Sequence, residues 1–152
     1  MNQKSIFLFI LLISLSATNA IPFEKRATQF QDCIDENDNF RNAEFINVSM
    51  SIDPLVSNQN VIFDVSGTLK NDIKDNGLVI AQLVDEDDNN IYRFRINATA
   101  TKAGQKFDIK TPQHNLPDIP GKYNLTVFIV NPSNPPNDNE DAIGCAKTSV
   151  GF

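Results

Sequence analysis

Short runs in which every second residue is apolar recur along this 152-residue chain, and they constrain its fold more than any other feature. In residues 59–69 (QNVIFDVSGTL), Val61, Phe63 and Val65 share one face of an extended chain, and Asp64 lies on the other. This alternation is typical of a strand with one buried and one solvated face. Clusters of Gly, Pro, Asn and Asp separate the runs, and no segment keeps a helical period. The sequence therefore predicts an all-β sandwich in one domain.

Seven strands are predicted from these runs. They are placed at residues 43–52, 59–69, 77–85, 90–98, 105–111, 122–130 and 143–150. Residues 85–90 (DEDDNN) are expected to connect a hairpin, and the proline- and acid-rich residues 131–141 (NPSNPPNDNED) are expected to form a long exposed loop. The run 78–84 (LVIAQLV) is apolar at both odd- and even-numbered positions, so we expect this strand to be central in its sheet or covered on both faces.

The parity of each run also predicts which side chains face the interior. In the first strand these are Ile46, Val48, Met50 and Ile52. The other inward positions, none of them charged, are Val61, Phe63, Val65, Leu69, Tyr92, Phe94, Ile96, Phe107, Ile109, Tyr123, Leu125, Val127 and Ile129. The interior of the sandwich is therefore expected to be apolar throughout.

Three N-x-[ST] sequons occur, at Asn47, Asn97 and Asn124. Each asparagine has the parity opposite to the apolar set of its own strand, where an attached glycan can face water. We expect at least one of them to be glycosylated, so that treatment with an N-glycosidase lowers the mass of the secreted protein.

The N-terminal residues 1–20 (MNQKSIFLFILLISLSATNA) have the layout of a secretory signal peptide, with a lysine, an apolar run and then small residues. The apolar run is too short to span a membrane. Lys25-Arg26 is a dibasic pair of the kind that secretory proteases cut, so residues 21–26 are a candidate propeptide. Residues 27–152 would then form a soluble domain that is secreted or enters the lumen of a vacuole or lysosome.

The charge of the chain disfavours two classes of partner. The net charge is −6, and loss of residues 1–26, with three positive side chains and one negative, makes it about −8. An acidic surface disfavours sequence-independent binding of nucleic acid, and it disfavours adsorption to anionic membranes by charge alone. Any contact with lipid would therefore run through apolar surface.

Few residues in the chain suggest chemistry. Cys33 and Cys145 are expected to form a disulfide in an oxidising compartment, with two buried free thiols as the alternative. Two thiols and a single histidine, His114, do not favour a metal site, and no cofactor is expected. His114 lies in a proline-bounded segment without a nucleophile motif, so we expect a loop residue and no enzyme. The acidic runs from residues 35 and 85 lack the glycine and glutamate of a calcium-binding EF-hand loop.

Several short motifs resemble a known family. They are residues 30–33 (FQDC), Asp53-Pro54-Leu55, Asn60, residues 66–69 (SGTL), Gly77, residues 119–130 (IPGKYNLTVFIV) and residues 143–152 (IGCAKTSVGF). Their order and spacing resemble the ML family of MD-2-related lipid-recognition domains, and most closely the branch of the Niemann-Pick type C2 sterol carrier and fungal phosphatidylglycerol/phosphatidylinositol transfer proteins. Familiar members carry two further short-range disulfides for which this chain has no cysteines.

The resemblance implies an immunoglobulin-like sandwich of about seven strands, with an apolar cleft between its sheets for lipid tails. The thirteen inward positions from Val61 to Ile129 then become the expected cleft lining. The implied ligand is a sterol or a phospholipid, bound without covalent catalysis by a monomer that makes transient contact with membranes. Lys106 or Lys122, near strand ends, could meet a lipid phosphate, although an ordinary solvated lysine is the simpler interpretation.

Two alternatives share this pattern. An extracellular sandwich for adhesion or partner recognition, with its interior filled by side chains, would show the same alternation. Antibody-type domains, however, place cysteines on facing inner strands beside a core tryptophan, whereas this chain has no tryptophan and carries its cysteines near the ends of the mature domain. The lipid interpretation is therefore favoured. An immune accessory protein that recognises microbial lipid would share the cleft and differ in its partners.

Overall fold

The computed structural model describes residues 28–33, 40–132 and 142–152, and these residues form ten strands. In chain order the strands are β1 (Glu44–Phe45), β2 (Asn47–Met50), β3 (Asn60–Val61), β4 (Phe63–Thr68), β5 (Leu78–Val84), β6 (Asn90–Asn97), β7 (Lys106–Lys110), β8 (His114–Asn115), β9 (Tyr123–Val130) and β10 (Ala142–Val150). The described ranges contain no α-helix. The prediction of an all-β sandwich is confirmed.

Two sheets form the layers of the sandwich. Sheet A has the order β1-β10-β9-β5-β6, and sheet B has the order β2-β4-β7. The short pair β3 and β8 continues β4 and β7 past an irregularity, since the backbone N–H of Thr111 donates to Phe63 (2.9 Å) and that of Leu116 donates to Gln59 (3.0 Å). Strand β8 therefore extends the edge of sheet B that β7 forms. Strand β5 lies inside sheet A, as its double-sided apolar pattern predicts.

The chain passes from sheet A to sheet B at Ile46, and we call this lateral side of the sandwich the crossover side. Strand β1 pairs with β10 in parallel, whereas β2 pairs with β4. The Ile46 side chain is fully buried, and its backbone N–H donates to the Cys145 carbonyl (3.3 Å). The single strand predicted at 43–52 is therefore wrong, because its two halves belong to different sheets.

The strand predicted at 59–69 is also interrupted. At Ile62 the backbone N–H donates to the Ser51 hydroxyl (2.9 Å), and the Ile62 carbonyl accepts from the backbone N–H of Ser51 (3.0 Å). These bonds tie the strand to the bend after β2 at the point where β3 ends and β4 begins. The alternation of residues 59–69 predicts their buried face but not this break.

The connections agree with the turn residues of the sequence where the structure describes them. The hairpin at residues 85–90 is confirmed, because β5 and β6 are antiparallel neighbours. The Asp85 carboxylate accepts from the backbone N–H of Asp87 (2.9 Å) and of Asn89 (2.8 Å), which fixes the turn. The predicted signal peptide and propeptide, and residues 133–141 of the predicted loop, lie outside the described residues.

Apolar side chains form two clusters, one on each face of sheet A. The main cluster lies between the sheets and combines inward residues of β4, β5, β6, β7 and β9. The second lies on the outer face of sheet A around the Cys33–Cys145 disulfide, and it includes Ile80 of β5 and Phe128 of β9. Phe40 covers it with an edge-to-face contact to Phe128 (5.4 Å between ring centroids). Strand β5 is therefore covered on both faces.

Candidate functional site

All thirteen predicted cleft-lining residues meet in the main cluster. Eleven of them are buried, and the other two, Tyr92 and Ile96, are half-buried and pack against the cluster. Among the described residues, the buried polar side chains are Thr111 and Thr148, and no buried side chain is charged. The interior is therefore apolar; a role of these residues in contacting a lipid stays a prediction.

The middle of this interior is filled by the protein's own side chains. Eleven residues of the main cluster have no accessible surface, and seven of them, from β3, β4, β5 and β9, are Val61, Phe63, Val65, Leu83, Leu125, Val127 and Ile129. A side chain without accessible surface touches no void that could hold a water molecule, so the two layers interdigitate there at ordinary packing density. We call these seven residues the filled centre.

Burial decreases toward both lateral sides. On the crossover side, Val48 and Met50 of β2 are half-buried, and on the opposite side the edge strand β6 of sheet A lies across from the edge formed by β7 and β8. We call this opposite side the β6–β7 side. Phe94, Phe107 and Ile109 keep 8%, 6% and 5% of their surface there, compared with zero in the filled centre. Strands β6 and β7 belong to different sheets and share no backbone ladder. Side-chain packing therefore closes the space between the two strands, and the chain crosses from β6 to β7 through residues 98–105.

A ring stack links the two edges of the β6–β7 side. Phe94 of β6 and His114 of β8 lie with ring centroids 3.8 Å apart and planes 21° apart. Phe94 also packs against Phe63 of the filled centre, with 5.4 Å between the ring centroids. The stack thus joins sheet A to the extended edge of sheet B without any backbone hydrogen bond.

The structure corrects the expectation that His114 is an ordinary loop residue. It lies in β8 in register with Val61, and its ring faces the interior. Its Nε2 atom is buried without a hydrogen-bond partner among the described residues, and burial lowers the pKa of the imidazole. Leu116, two residues later and buried, is the signal that could have indicated this short strand. The irregularity at Pro112-Gln113 hides this strand, because the inward positions change there from odd residue numbers, as at Ile109, to even ones, as at His114 and Leu116.

Tyr123 carries the other buried polar atom of the interior that lacks a partner in the described part of the chain. Its hydroxyl lies beside the backbone N–H of Leu55 without a hydrogen bond of normal geometry. Burial is the largest cause of its raised pKa, and it also raises the pKa of Tyr92 on the β6–β7 side. Tyr123 is at the first position of β9, at one end of the sandwich.

The two lysines considered for a lipid head group lie outside the interior. Lys106, the first residue of β7, is exposed. Lys122 pairs with Glu86 (3.2 Å) and lies 5.8 Å from the centre of the Phe152 ring. A contact of either lysine with a phosphate stays a prediction.

The remaining predicted sites are on the outside of the sandwich. Cys33 and Cys145 form the expected disulfide, with Cα atoms 5.9 Å apart. Asn47 and Asn97 are exposed, whereas Asn124 is half-buried and accepts a hydrogen bond from the Ser149 hydroxyl (2.6 Å). Within residues 28–33, 40–132 and 142–152, no group of three or more His, Cys, Asp and Glu side chains could hold a metal ion. No helix in these ranges is long and apolar enough to cross a bilayer.

Three of four surface hollows are lined in part by side chains that pack against the main cluster, namely Val150, the pair Ile91 and Ile119, and Val48. The largest of four, about 670 Å³, has a polar lining that includes Gln31, Thr126 and Ser149. Another, of about 660 Å³, lies between the β5–β6 hairpin and the Asp118–Lys122 segment. None of these four hollows is lined by a predicted cleft residue.

Comparisons with known proteins give likenesses of structure only. No protein-family model matches the sequence, and no curated protein matches it. Chicken MD-1 complexed with lipid IVa is similar in structure with a TM-score of 0.47 and 13% identity, over 81% of this chain and 88% of that one. A glycoside hydrolase family 2 β-glucuronidase (TM-score 0.41, 16% identity) and a Bacteroides uniformis β-glucuronidase (TM-score 0.38, 13% identity) each match 70% of this chain, but only 11% and 13% of their own.

Proposed function

We propose that this protein is a secreted lipid carrier, which binds the apolar part of a sterol or a phospholipid between its two sheets without covalent chemistry. The observation that carries the proposal is the construction of the β6–β7 side. There an interior without charged side chains is closed laterally by ring packing of Phe94 and His114 instead of backbone hydrogen bonds. The motif resemblance to the ML family supports the same function, and the sterol-carrier or phospholipid-transfer branch stays a prediction.

The energetics of lipid transfer explain why such an interior is useful. Each methylene removed from water contributes about 0.8 kcal/mol, so a tail leaves a bilayer only for an equally apolar site. Since the filled centre leaves no open room, a tail has to enter by separating β6 from β7 and β8. It would then replace the contacts of Phe94 with Phe63 and His114. A charged head group would stay at the surface, because the cluster offers it no counter-charge.

Bound lipid can be sought directly. Organic extraction of the protein from its natural source, followed by mass spectrometry, is expected to release a lipid, and the purified protein is expected to take up a fluorescent sterol or phospholipid. An empty extract together with no uptake of either probe would contradict the proposal.

A pair of variants locates the contact. Phe94→Asp places a charge on the β6–β7 side and is expected to weaken uptake at least about tenfold, because an unpaired carboxylate is costly in apolar surroundings. Arg95→Asp, at the neighbouring exposed position of β6, is the matched control. Unchanged uptake by a folded Phe94→Asp protein would show that the tail does not lie there.

A second candidate function is recognition of a protein partner by a sandwich with a permanently filled interior. The zero exposure of the filled centre favours it. The two functions differ in the extraction experiment: a recognition module would yield no lipid, would ignore lipid probes and would keep its partner when Phe94 is replaced by another apolar residue.

A further inference from the structure

His114 places a polar atom on the otherwise apolar β6–β7 side. Its Nε2 is buried and has no hydrogen-bond partner in the described part of the chain. A buried polar atom without a partner costs free energy of the order of a lost hydrogen bond, so native proteins rarely keep one without a use for it. None of the described protein groups forms a hydrogen bond with this atom, so the protein itself does not show what the atom is for.

The surroundings of Nε2 are those in which a lipid would arrive. The imidazole lies against Phe94, and Phe107 and Ile109, which keep 6% and 5% of their surface, are on the β7 edge that β8 continues. Burial is the cause of the lowered pKa of His114, and no charged group contributes to it. Burial therefore favours the neutral form of the imidazole, and the ring stacks on Phe94.

We propose, building on the lipid-binding function above, that His114 Nε2 is the polar anchor of the bound lipid and selects a neutral lipid with a single hydroxyl. The proposed anchor uses the imidazole tautomer whose proton is on Nδ1, so that Nε2 accepts a hydrogen bond from the lipid hydroxyl. An ionised head group would lose its hydration without gaining a counter-charge. A hydrocarbon leaves Nε2 unpaired, and an ether oxygen can only accept.

Matched ligands test the anchor. Binding of 1-hexadecanol and of its methyl ether is measured at pH 7.5 by competition with a pyrene-labelled alkane. The wild-type protein is expected to prefer the alcohol about tenfold, the usual effect of one buried hydrogen bond. His114→Phe keeps a ring against Phe94 and removes the nitrogen, so it is expected to lose the preference for the alcohol over the ether, a ratio that does not depend on how tightly the variant binds the pyrene probe.

A second measurement needs no variant. His114 is the only histidine of the chain, so the imidazole ¹⁵N resonances of labelled protein report on it alone. The Nε2 resonance is expected to shift when 1-hexadecanol binds and to stay in place when the ether binds.

The outcomes separate this inference from the function on which it rests. A wild-type protein that binds the pyrene alkane without preferring the alcohol overturns the anchor and leaves lipid binding intact. A wild-type protein that binds none of the three compounds overturns both. Loss of the preference in Tyr123→Phe, with the preference kept in His114→Phe, would assign the anchor to the Tyr123 hydroxyl, the other unpartnered buried atom, and overturn the role of His114.

Discussion

The two lateral sides of this sandwich are closed in different ways. On the crossover side the backbone itself joins the sheets at Ile46, β1 pairs with β10, and the Cys33–Cys145 disulfide lies beside that pair. On the β6–β7 side two edge strands face each other, and the stack of Phe94 on His114 links them. The chain crosses between the sheets on both sides, through residues 98–105 on the β6–β7 side, but the crossover side also has the parallel β1–β10 pair and the disulfide.

This difference indicates where the fold can open. Segments held by few buried contacts open at lower free energy than those in a continuous hydrogen-bonded core. The β6–β7 side can therefore separate while the crossover side keeps the two sheets together. A lipid carrier needs both properties, because the tail must enter and the fold must survive its entry.

The largest effect is expected from a charge in the filled centre between the two sides. Val127→Asp would bury an unpaired carboxylate and is expected to cost more than about 4 kcal/mol, enough to prevent folding. Thr126→Asp, the neighbouring half-buried position on the outer face of β9, is the control and should fold. Circular dichroism distinguishes them, and a stably folded Val127→Asp protein would show that the centre is looser than its zero exposure indicates.

The next effect concerns the crossover side. Replacing Cys33 and Cys145 together by Ala removes a bridge between residues 112 positions apart and should lower the free energy of unfolding by about 2–5 kcal/mol. Hydrogen exchange should accelerate in β1 and β10 more than in β6. If removal of the disulfide accelerates exchange more in β6 than in β10, the disulfide stabilises the β6–β7 side, which would contradict its assignment to the crossover side.

A smaller effect is expected at Gly144, where β10 packs against the crossover. A Cβ atom there would lie 2.8 Å from Cγ2 of Ile46 and 3.1 Å from Cδ2 of Leu69. Gly144→Ala should therefore destabilise the protein by about 1–3 kcal/mol through overpacking. At Gly121 nothing lies within 4 Å of an added Cβ, so Gly121→Ala is the matched control. Equal denaturation midpoints for the two variants would contradict tight packing on the crossover side.

The smallest effect is a pH dependence that belongs to the β6–β7 side. Burial holds the pKa of His114 below its ordinary 6.5, so the unfolded chain binds this proton more readily, and stability should fall as the pH drops below 6.5. Glu44, Asp72 and Asp85 also have lowered pKa values, chiefly from hydrogen bonds with Lys70, Lys102 and Asn89, but their contributions fade only below their ordinary values of 4.5 and 3.8.

The interval between pH 6.5 and about 5 therefore reports on His114. In denaturant titrations, His114→Phe should lose the decline of stability across this interval, whereas Asn115→Ala, an exposed neighbour in β8, should keep it. A decline that persists in His114→Phe would assign the titration to another group.

The sequence predicted the buried faces of this fold better than the path of its chain. Alternation at Phe63 and Val65, or at Leu125 and Val127, depends only on which face is apolar, and the structure buries all four. The change of sheet at Ile46 left no mark in the pattern, because the buried parity continues through it. Strand breaks of this kind depend on partners distant in sequence, such as β10 and β4.

For the same reason, the sequence predicted only part of the candidate site. The apolar lining follows from parity, whereas His114 lies two residues beyond Pro112, where the alternation shifts. Its stacking on Phe94 joins residues of two different sheets, which no local pattern encodes. The filled centre likewise follows from the separation of the layers, and that separation is set by all the inward side chains together.

Hydrogen–deuterium exchange with and without lipid tests most directly whether ligand enters between β6 and the β7–β8 edge. On addition of 1-hexadecanol or a fluorescent phospholipid, amides of β6, β7 and β8 should change their protection, while those of β1 and β10 stay as they were. Protection that changes only on the crossover side or on the outer face of sheet A, or that changes nowhere, would contradict a carrier that opens at Phe94 and His114.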